Sequence, residues 1–186
     1  MKPLPLRVAS PPSPFPVWHR AARLAWAVVE GTVFRLSPPP LHWWRVVLLR
    51  LFGARVHATA HVYPTVRTWA PWNLALGPDA CLAPDVRVYN VDRVVLGPRA
   101  LVSQGAHLCT ASHDHEDPAF PLVHAPIRIG EDAWVCADAF VAMGVTIGRG
   151  AVIGARAVVL RDMPAGMVCV GFPCRPVRAR RRAASP

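Results

Sequence analysis

From Ile127 to Arg161 the chain reads IRIGEDAWVCADAFVAMGVTIGRGAVIGARAVVLR. Every sixth residue from Ile129 is aliphatic and β-branched: Ile129, Val135, Val141, Ile147, Ile153 and Val159. Gly follows three of them, at Gly130, Gly148 and Gly154, and Ala137, Ala142, Ala155 and Ala157 lie near the others. A period of six fits neither an amphipathic helix nor an alternating strand. It fits a short strand, a tight turn and a change of direction, repeated. Three such units close a triangle of about eighteen residues, with the aliphatic side chain inside and small residues at the corners. Successive coils then pair at roughly 4.8 Å, the ordinary strand spacing. The pattern predicts a mainly β fold, a parallel β-helix.

The same frame extends back along the chain. It begins at Val56 and Val62, is broken by YPTVRTWAPWN (Tyr63 to Asn73), and resumes at Leu76, Leu82, Val88 and Val94. It then slips by two residues and continues at Leu96, Val102 and Leu108. The next turn is replaced by CTASHDHEDPAFPLVHAP, a polar, Pro-rich stretch over residues 109–126 that must leave the coil as an external loop. After Val159, RDMPAGMVCVGFPCRPVR reads as a last strand pair and the exit. Upstream, the spacing of Trp18, Ala22, Ala25, Trp26, Val29 and Val33 predicts a helix over Val17 to Leu36, stopped by Ser37 to Pro40. Leu41 to Phe52 predicts a second, ended by Gly53. The organisation expected is a disordered Pro-rich start at 1–16, a short helical segment at 17–53, the solenoid at 54–171 and a basic tail at 172–186. The Trp- and Arg-bearing helices either cap the open end of the solenoid, as repeat proteins require, or lie on the inner face of a membrane. The two roles are compatible.

Composition narrows this picture. A chain of 186 residues, 53% apolar and 17% charged, is expected to form one domain with a generous core. The longest apolar run, Trp43 to Phe52, carries Arg45 and Arg50 and is too short to span a bilayer. The Pro-rich N-terminus has no apolar stretch of the secretory kind, and five Cys give no paired framework, so a cytoplasmic protein with reduced thiols is expected. The net charge of +10 is nearly all Arg, Lys2 being the only Lys, and favours anionic partners. The tail RPVRARRRAASP lacks aromatic interleaving, so no nucleic-acid partner is expected.

The densest chemistry is His113, Asp114, His115, Glu116 and Asp117 in the loop. A histidine carried on a rigid scaffold is the default general base. A plain solvated loop is the second reading. A metal site using His107, Cys109, His113 and His115 is the third, although these residues match no standard zinc spacing. Asp92 falls about one coil below Ser112 and His113, so Asp92 or Asp114 is the candidate to orient the imidazole. Asn90, nearby, is a candidate to bind a polar substrate together with Asp92. Cys109 and Cys136 read as small core or corner residues, with nothing to lower a thiol pKa.

The repeat IGxxAWVxxxAxVxxGVTIGxGAVIGAxAVVxxDMP resembles the hexapeptide-repeat, left-handed β-helix acyltransferases. The loop followed by PIRIGEDAWV resembles the sugar O-acetyltransferases of that superfamily. HWWRVVLLRLFGA, HVYPTVRTWAPWNL, VSQGAHLCTASHD and GFPCRPVR are similar to the acetyltransferases of colanic acid biosynthesis. The resemblance runs from about Trp18 to Arg178. It implies a homotrimer with acetyl-CoA in the groove between neighbouring β-helices and no metal. His113 would then deprotonate a sugar hydroxyl for direct attack on the thioester. Trp134 matches the Trp beside the cofactor arm, Ala137 and Ala155 match small residues beside the pantetheine, and Arg161 matches a basic position at the nucleotide phosphates. Arg156 and Arg178 are further candidates there. The chain departs from the pattern at Cys136 and Ala142, where Gly is common, and at Asp114, where some sugar acetyltransferases have Pro. Two other functions compete: a metal-dependent β-helix hydratase of the carbonic-anhydrase type, and a non-catalytic scaffold for glycan assembly.

Overall fold

The computed structural model describes residues 14–181. The disorder expected over residues 1–16 falls on them only at 14–16, where it is not seen, Phe15 stacking on His19 with ring centroids 4.7 Å apart; residues 1–13 and the end of the tail from residue 182 lie outside them. The chain winds into a left-handed parallel β-helix of about six turns. Its first face stacks Arg55–Val56, Leu74–Leu76, Val94–Leu96, Ile127–Ile129 and Thr146–Ile147. The second runs from His61–Val62 through Cys81–Leu82, Leu101–Val102, Trp134–Val135 and Val152–Ile153 to Met167–Val170, with Arg175–Ala179 folded back antiparallel on its end. The third stacks Arg67–Thr68, Arg87–Tyr89, His107–Cys109, Phe140–Val141 and Val158–Val159.

The six predicted aliphatic positions from Ile129 to Val159 all point inward and are buried. The lower coils are longer than the upper ones. His61 pairs with Cys81 and Leu74 with Val94, twenty positions on, whereas Trp134 pairs with Val152, eighteen on. The two-residue slip therefore recurs in every lower coil. Each adds a first-face strand with two inward residues, Leu74 with Leu76 and Val94 with Leu96. The interruption expected over Tyr63 to Asn73 shrinks to one 3-10 turn over Pro71–Asn73: the frame continues from Val62 to Thr68, whose side chain is buried in place of an aliphatic one. A polar residue at a core position hid that turn from a hydrophobic pattern.

Two devices share the work of turning the corners. Bends are made by residues in the left-handed conformation: Asp79, Asp85, Asp132 and Asp138 at φ near 60°, a region that Asp tolerates better than most residues, joined by Arg99, Arg156, Gly144 and Gly150. Of the glycines expected at bends, Gly130 and Gly148 serve close approach instead. A Cβ on Gly130 would lie 2.6 Å from the Arg149 backbone nitrogen in the next coil, and Gly77, Gly97 and Gly148 face their successors in the same way. The obstacle is backbone, so the coil cannot yield locally. Gly130→Ala is expected to destabilise the protein by about 1–3 kcal/mol in urea unfolding, and a change within about 0.5 kcal/mol, typical of a neutral surface site, would contradict this packing.

Helix α1 (Val17–Val29) passes into one wider π turn over Glu30–Phe34, so the regular helix is shorter than the predicted span. Trp26 Nε1 donates to the Thr68 carbonyl at 2.7 Å, and Glu30 Oε1 accepts from the Thr68 N–H at 2.6 Å. The segment is thereby clamped to both backbone groups of one residue of the first coil. Helix α2 (His42–Leu51) buries Arg45, Val46, Leu48 and Leu49 over the open end of the solenoid, which removes the exposed edge that a repeat stack otherwise presents.

Candidate active site

The stretch after the third-face strand His107–Cys109 leaves the coil as an antiparallel hairpin, Ala111–His113 against Leu122–His124. Trp134 lies thirty-three positions beyond its partner Leu101, so thirteen residues are inserted into a twenty-residue coil at this corner. The hairpin is paired backbone up to its tip, which fixes the direction of the side chains on it.

His113 ends the first hairpin strand and is exposed. Its Nδ1 lies 2.6 Å from the Phe120 carbonyl oxygen. A carbonyl only accepts, so Nδ1 carries the proton and Nε2 is left with its lone pair. Neither expected carboxylate performs this orientation. Asp114 turns back into the loop, its Oδ1 accepting from the Glu116 N–H at 3.0 Å. Asp92 sits below the base of the hairpin rather than below His113, because the inserted residues displace the register from which that expectation was drawn. Its Oδ2 accepts from His124 Nδ1 at 2.8 Å.

His124 carried no sequence signal beyond being a third histidine in a Pro-rich stretch. Ala111 lies opposite His124 and His113 opposite Leu122, so the two imidazoles emerge on one face of the hairpin as diagonal neighbours. The corner beneath them is fixed by polar contacts: the Asp92 N–H donates to Thr110 Oγ1 at 2.9 Å and the Thr110 hydroxyl donates to the Tyr89 carbonyl at 3.0 Å. Partial burial pushes the Asp92 carboxyl up, but the His124 hydrogen bond, the Arg93 N–H and the charges of His124 and Arg93 together hold it below its usual range. A carboxylate with a depressed folded-state pKa stabilises the fold above its unfolded pKa, and that contribution is lost as the pH falls through the folded value. Wild type should therefore lose its stability advantage over Asp92→Asn as the pH is lowered from about 5 to 3 in thermal melts. A difference that does not change with pH would show that the pair carries no such linkage.

Asn90 does not face a substrate. Its side chain is 0% exposed, its Nδ2 donates to the Ala70 carbonyl at 2.6 Å and its Oδ1 accepts from the Ala70 N–H at 3.0 Å. Both functional groups of the amide are committed to closing the corner of the coil below.

The residues assigned to the cofactor lie elsewhere on the prism. Trp134 stands on the second face, 41% exposed, its Nε1 donating to Ser103 Oγ at 2.8 Å. Ala137 and Ala155 stack at the corner between the second and third faces, where the Arg156 N–H donates to the Ala137 carbonyl at 2.9 Å. Arg161 is exposed on the hairpin's own edge, beyond Val158–Val159, and Arg178 is exposed on the antiparallel strand that closes the second face. The fold puts His113 and His124 on one face of the hairpin, with Asp92 bonded to His124, and Trp134 near the two alanines, but it puts these groups on opposite sides of one chain.

A groove of about 490 Å³ beside Trp134 is lined by Arg99, Asp132, Arg180 and Arg181 among others. Arg180 is held there by the Asp132 and Gly150 carbonyls at 2.9 and 3.1 Å. In the sequence this arginine belonged to the basic tail; only the fold-back onto the second face places it. Burial pushes the thiols of Cys81, Cys136, Cys169 and Cys174 up, the last to about 11 with help from Cys169, which fits packing rather than nucleophilic roles. Among the described residues no three His, Cys, Asp or Glu side chains converge as ligands of one ion.

Residues 126–161 match the bacterial transferase hexapeptide family (six repeats). The colanic acid biosynthesis acetyltransferase WcaF of Escherichia coli (strain K12) is 43% identical over 155 residues, covering 83% of this chain and 85% of that protein. The chain belongs to the hexapeptide-repeat acetyltransferases. Within that family the galactoside O-acetyltransferase of E. coli (strain K12) is 29% identical over 137 residues, 72% of this chain and 68% of its own. Among solved structures, a galactoside acetyltransferase in complex with coenzyme A superimposes with a TM-score of 0.80 at 26% identity, covering 90% of this chain and 84% of that one. A Vibrio cholerae hexapeptide-repeat acetyltransferase complexed with acetyl-CoA gives 0.77 at 24% identity, covering 88% and 89%.

Proposed function

We propose that the chain transfers the acetyl group of acetyl-CoA to a hydroxyl of a sugar in an exopolysaccharide intermediate, with His113 as the general base. The observation that carries this reading is the 2.6 Å contact from His113 Nδ1 to the Phe120 carbonyl. It fixes the tautomer and leaves Nε2 on an exposed hairpin to accept a proton. Nε2 takes the proton of the acceptor hydroxyl as its oxygen forms a bond to the thioester carbonyl carbon. A backbone N–H stabilises the oxyanion of the tetrahedral intermediate. The C–S bond then breaks, and the proton on Nε2 passes to the departing thiolate, so His113 returns to its starting state with the ester and free thiol as products.

The residues present suit the donor. Trp134 offers a half-exposed ring, Ala137 and Ala155 leave the corner open for a narrow chain, and Arg161, with Arg178 as a second candidate, suits phosphate groups. The second-face groove adds Arg180 and Arg181 to the set. Because Trp134 and His113 lie on opposite sides of one chain, the reading requires neighbouring copies, one supplying the hairpin and the next the second face, as in a cyclic homotrimer. Relatives that bear the names galactoside O-acetyltransferase and colanic acid biosynthesis acetyltransferase support a sugar acceptor.

Subunit mixing tests the arrangement. Ala137→Trp should block the donor groove, and His113→Ala should remove the base. Each variant alone is expected to be inactive, and mixed oligomers should regain a substantial fraction of activity through interfaces that pair an intact hairpin with an intact groove. Mixtures that stay inactive, with mixed oligomers demonstrated, would count against a site shared between copies.

A further inference from the structure

Outside the site, the helical end of the molecule carries a surface that its own fold leaves uncovered. On α1, Val17, Leu24 and Val28 are spaced i, i+7 and i+11 and point away from the solenoid, Leu24 being 70% exposed. On α2, Trp43, Val47 and Leu51 follow at i, i+4 and i+8 and are also turned outward, Trp43 60% and Leu51 75% exposed. The α2 stripe continues into a groove of about 410 Å³ at the turn between the helices, whose lining includes Val33, Leu36 and Trp43. Both helices also bury apolar side chains inward, Trp26 on α1 and Val46, Leu48 and Leu49 on α2, beside the polar His19 and Arg45, so large apolar groups lie on both sides of the segment.

Charge identifies the cover. Residues 17–53 carry five arginines and a single acid, Glu30, and that carboxylate is turned inward onto the Thr68 N–H. Arg20, Arg35 and Arg50 are exposed beside the apolar stripes. Of the net charge of +10, +8 falls within residues 1–78, which hold nine basic residues and one acid. The apolar stripes therefore sit at the strongly basic end of the chain, with exposed Trp and Arg together. That combination suits the headgroup region of an anionic bilayer, where apolar side chains enter the acyl boundary and arginines meet lipid phosphates. No helix among the described residues is long and apolar enough to cross a membrane, so the contact is peripheral.

We propose that the exposed apolar and basic face of α1 and α2 docks on an anionic lipid surface. This rests on the exposed face alone and does not depend on the transfer chemistry. The test is co-sedimentation of the full-length protein with vesicles of phosphatidylcholine alone or mixed with phosphatidylglycerol, at low and high salt. Binding to the mixed vesicles is expected, falling steeply with salt. Leu24→Glu and Trp43→Glu are both at exposed positions, so circular dichroism and the melting curve should match wild type. Each should lower vesicle partition by about tenfold or more, since each forfeits the burial of one large apolar side chain. No binding to mixed vesicles, or binding that both substitutions leave intact, overturns the proposal. So does a wild-type oligomer that these substitutions split into smaller species without a vesicle effect, because the face would then be covered by a second copy of the chain.

Discussion

His113→Ala is expected to fold and melt like the wild type and to lower acetyl transfer by about a thousandfold, within the usual contribution of a positioned base. The residue is exposed and packs on nothing that the coil needs, so a stability change is not expected. The loss should fall on turnover, with donor affinity retained, because no residue assigned to the donor is part of the hairpin. The neighbouring imidazole sharpens the comparison. His124 is paired with a carboxylate, the arrangement that often marks a catalytic base, whereas His113 is oriented only by a carbonyl. The resemblance assigns the role to His113, and thiol release with glycan acceptors decides between them. A large loss in His124→Ala with little change in His113→Ala would transfer the base to the Asp92–His124 pair.

The largest expected effect on stability comes from Arg45→Met. Arg45 is 0% exposed, yet no carboxylate bonds to it among the described residues. Its guanidinium donates instead to the Val62 carbonyl at 2.5 Å, Ser37 Oγ at 2.7 Å, and the Pro38 and Pro39 carbonyls at 3.0 and 2.5 Å. Burial pulls its pKa down and Tyr63 opposes this. One side chain thus ties the turn between the helices to the first coils. Methionine fills most of the volume and makes none of these bonds, so four hydrogen bonds from a charged group are lost together, although the Val62 carbonyl keeps His42 Nδ1 and the Pro38 carbonyl keeps the Leu41 N–H. A loss of about 3–5 kcal/mol is expected in chemical denaturation. A loss below about 1 kcal/mol, the worth of one ordinary hydrogen bond, would mean that water or backbone shifts replace the guanidinium. Vesicle binding should weaken as well, since the docking face depends on the helices that Arg45 anchors.

The solenoid was legible because its core has one layer of side chains per coil. In so narrow a core each inward position must be filled, and the periodicity from Ile129 to Val159 shows through directly. It faded where Thr68 replaced an aliphatic residue and where the lower coils took twenty residues. The corner aspartates were missed because a positive φ leaves no mark in a hydrophobicity pattern. His113 stood out as a histidine in the one polar break. Its partner did not, since a backbone carbonyl has no sequence identity, and Phe120 reaches it only because the hairpin closes over seven residues. The Asp92–His124 contact spans thirty-two residues and depends on a register that the insertion shifts, so residue spacing pointed to the wrong histidine. Asn90 looked like a substrate ligand because its burial cannot be read from type alone.

Titration calorimetry of the purified protein with acetyl-CoA reaches the centre of the proposed function without knowledge of the acceptor. Micromolar binding at one donor per subunit is predicted, weakened about tenfold in Arg161→Ala through the loss of a charge-assisted phosphate contact and unchanged in His113→Ala. No heat of binding up to millimolar donor, from protein with the native circular dichroism spectrum, would contradict it.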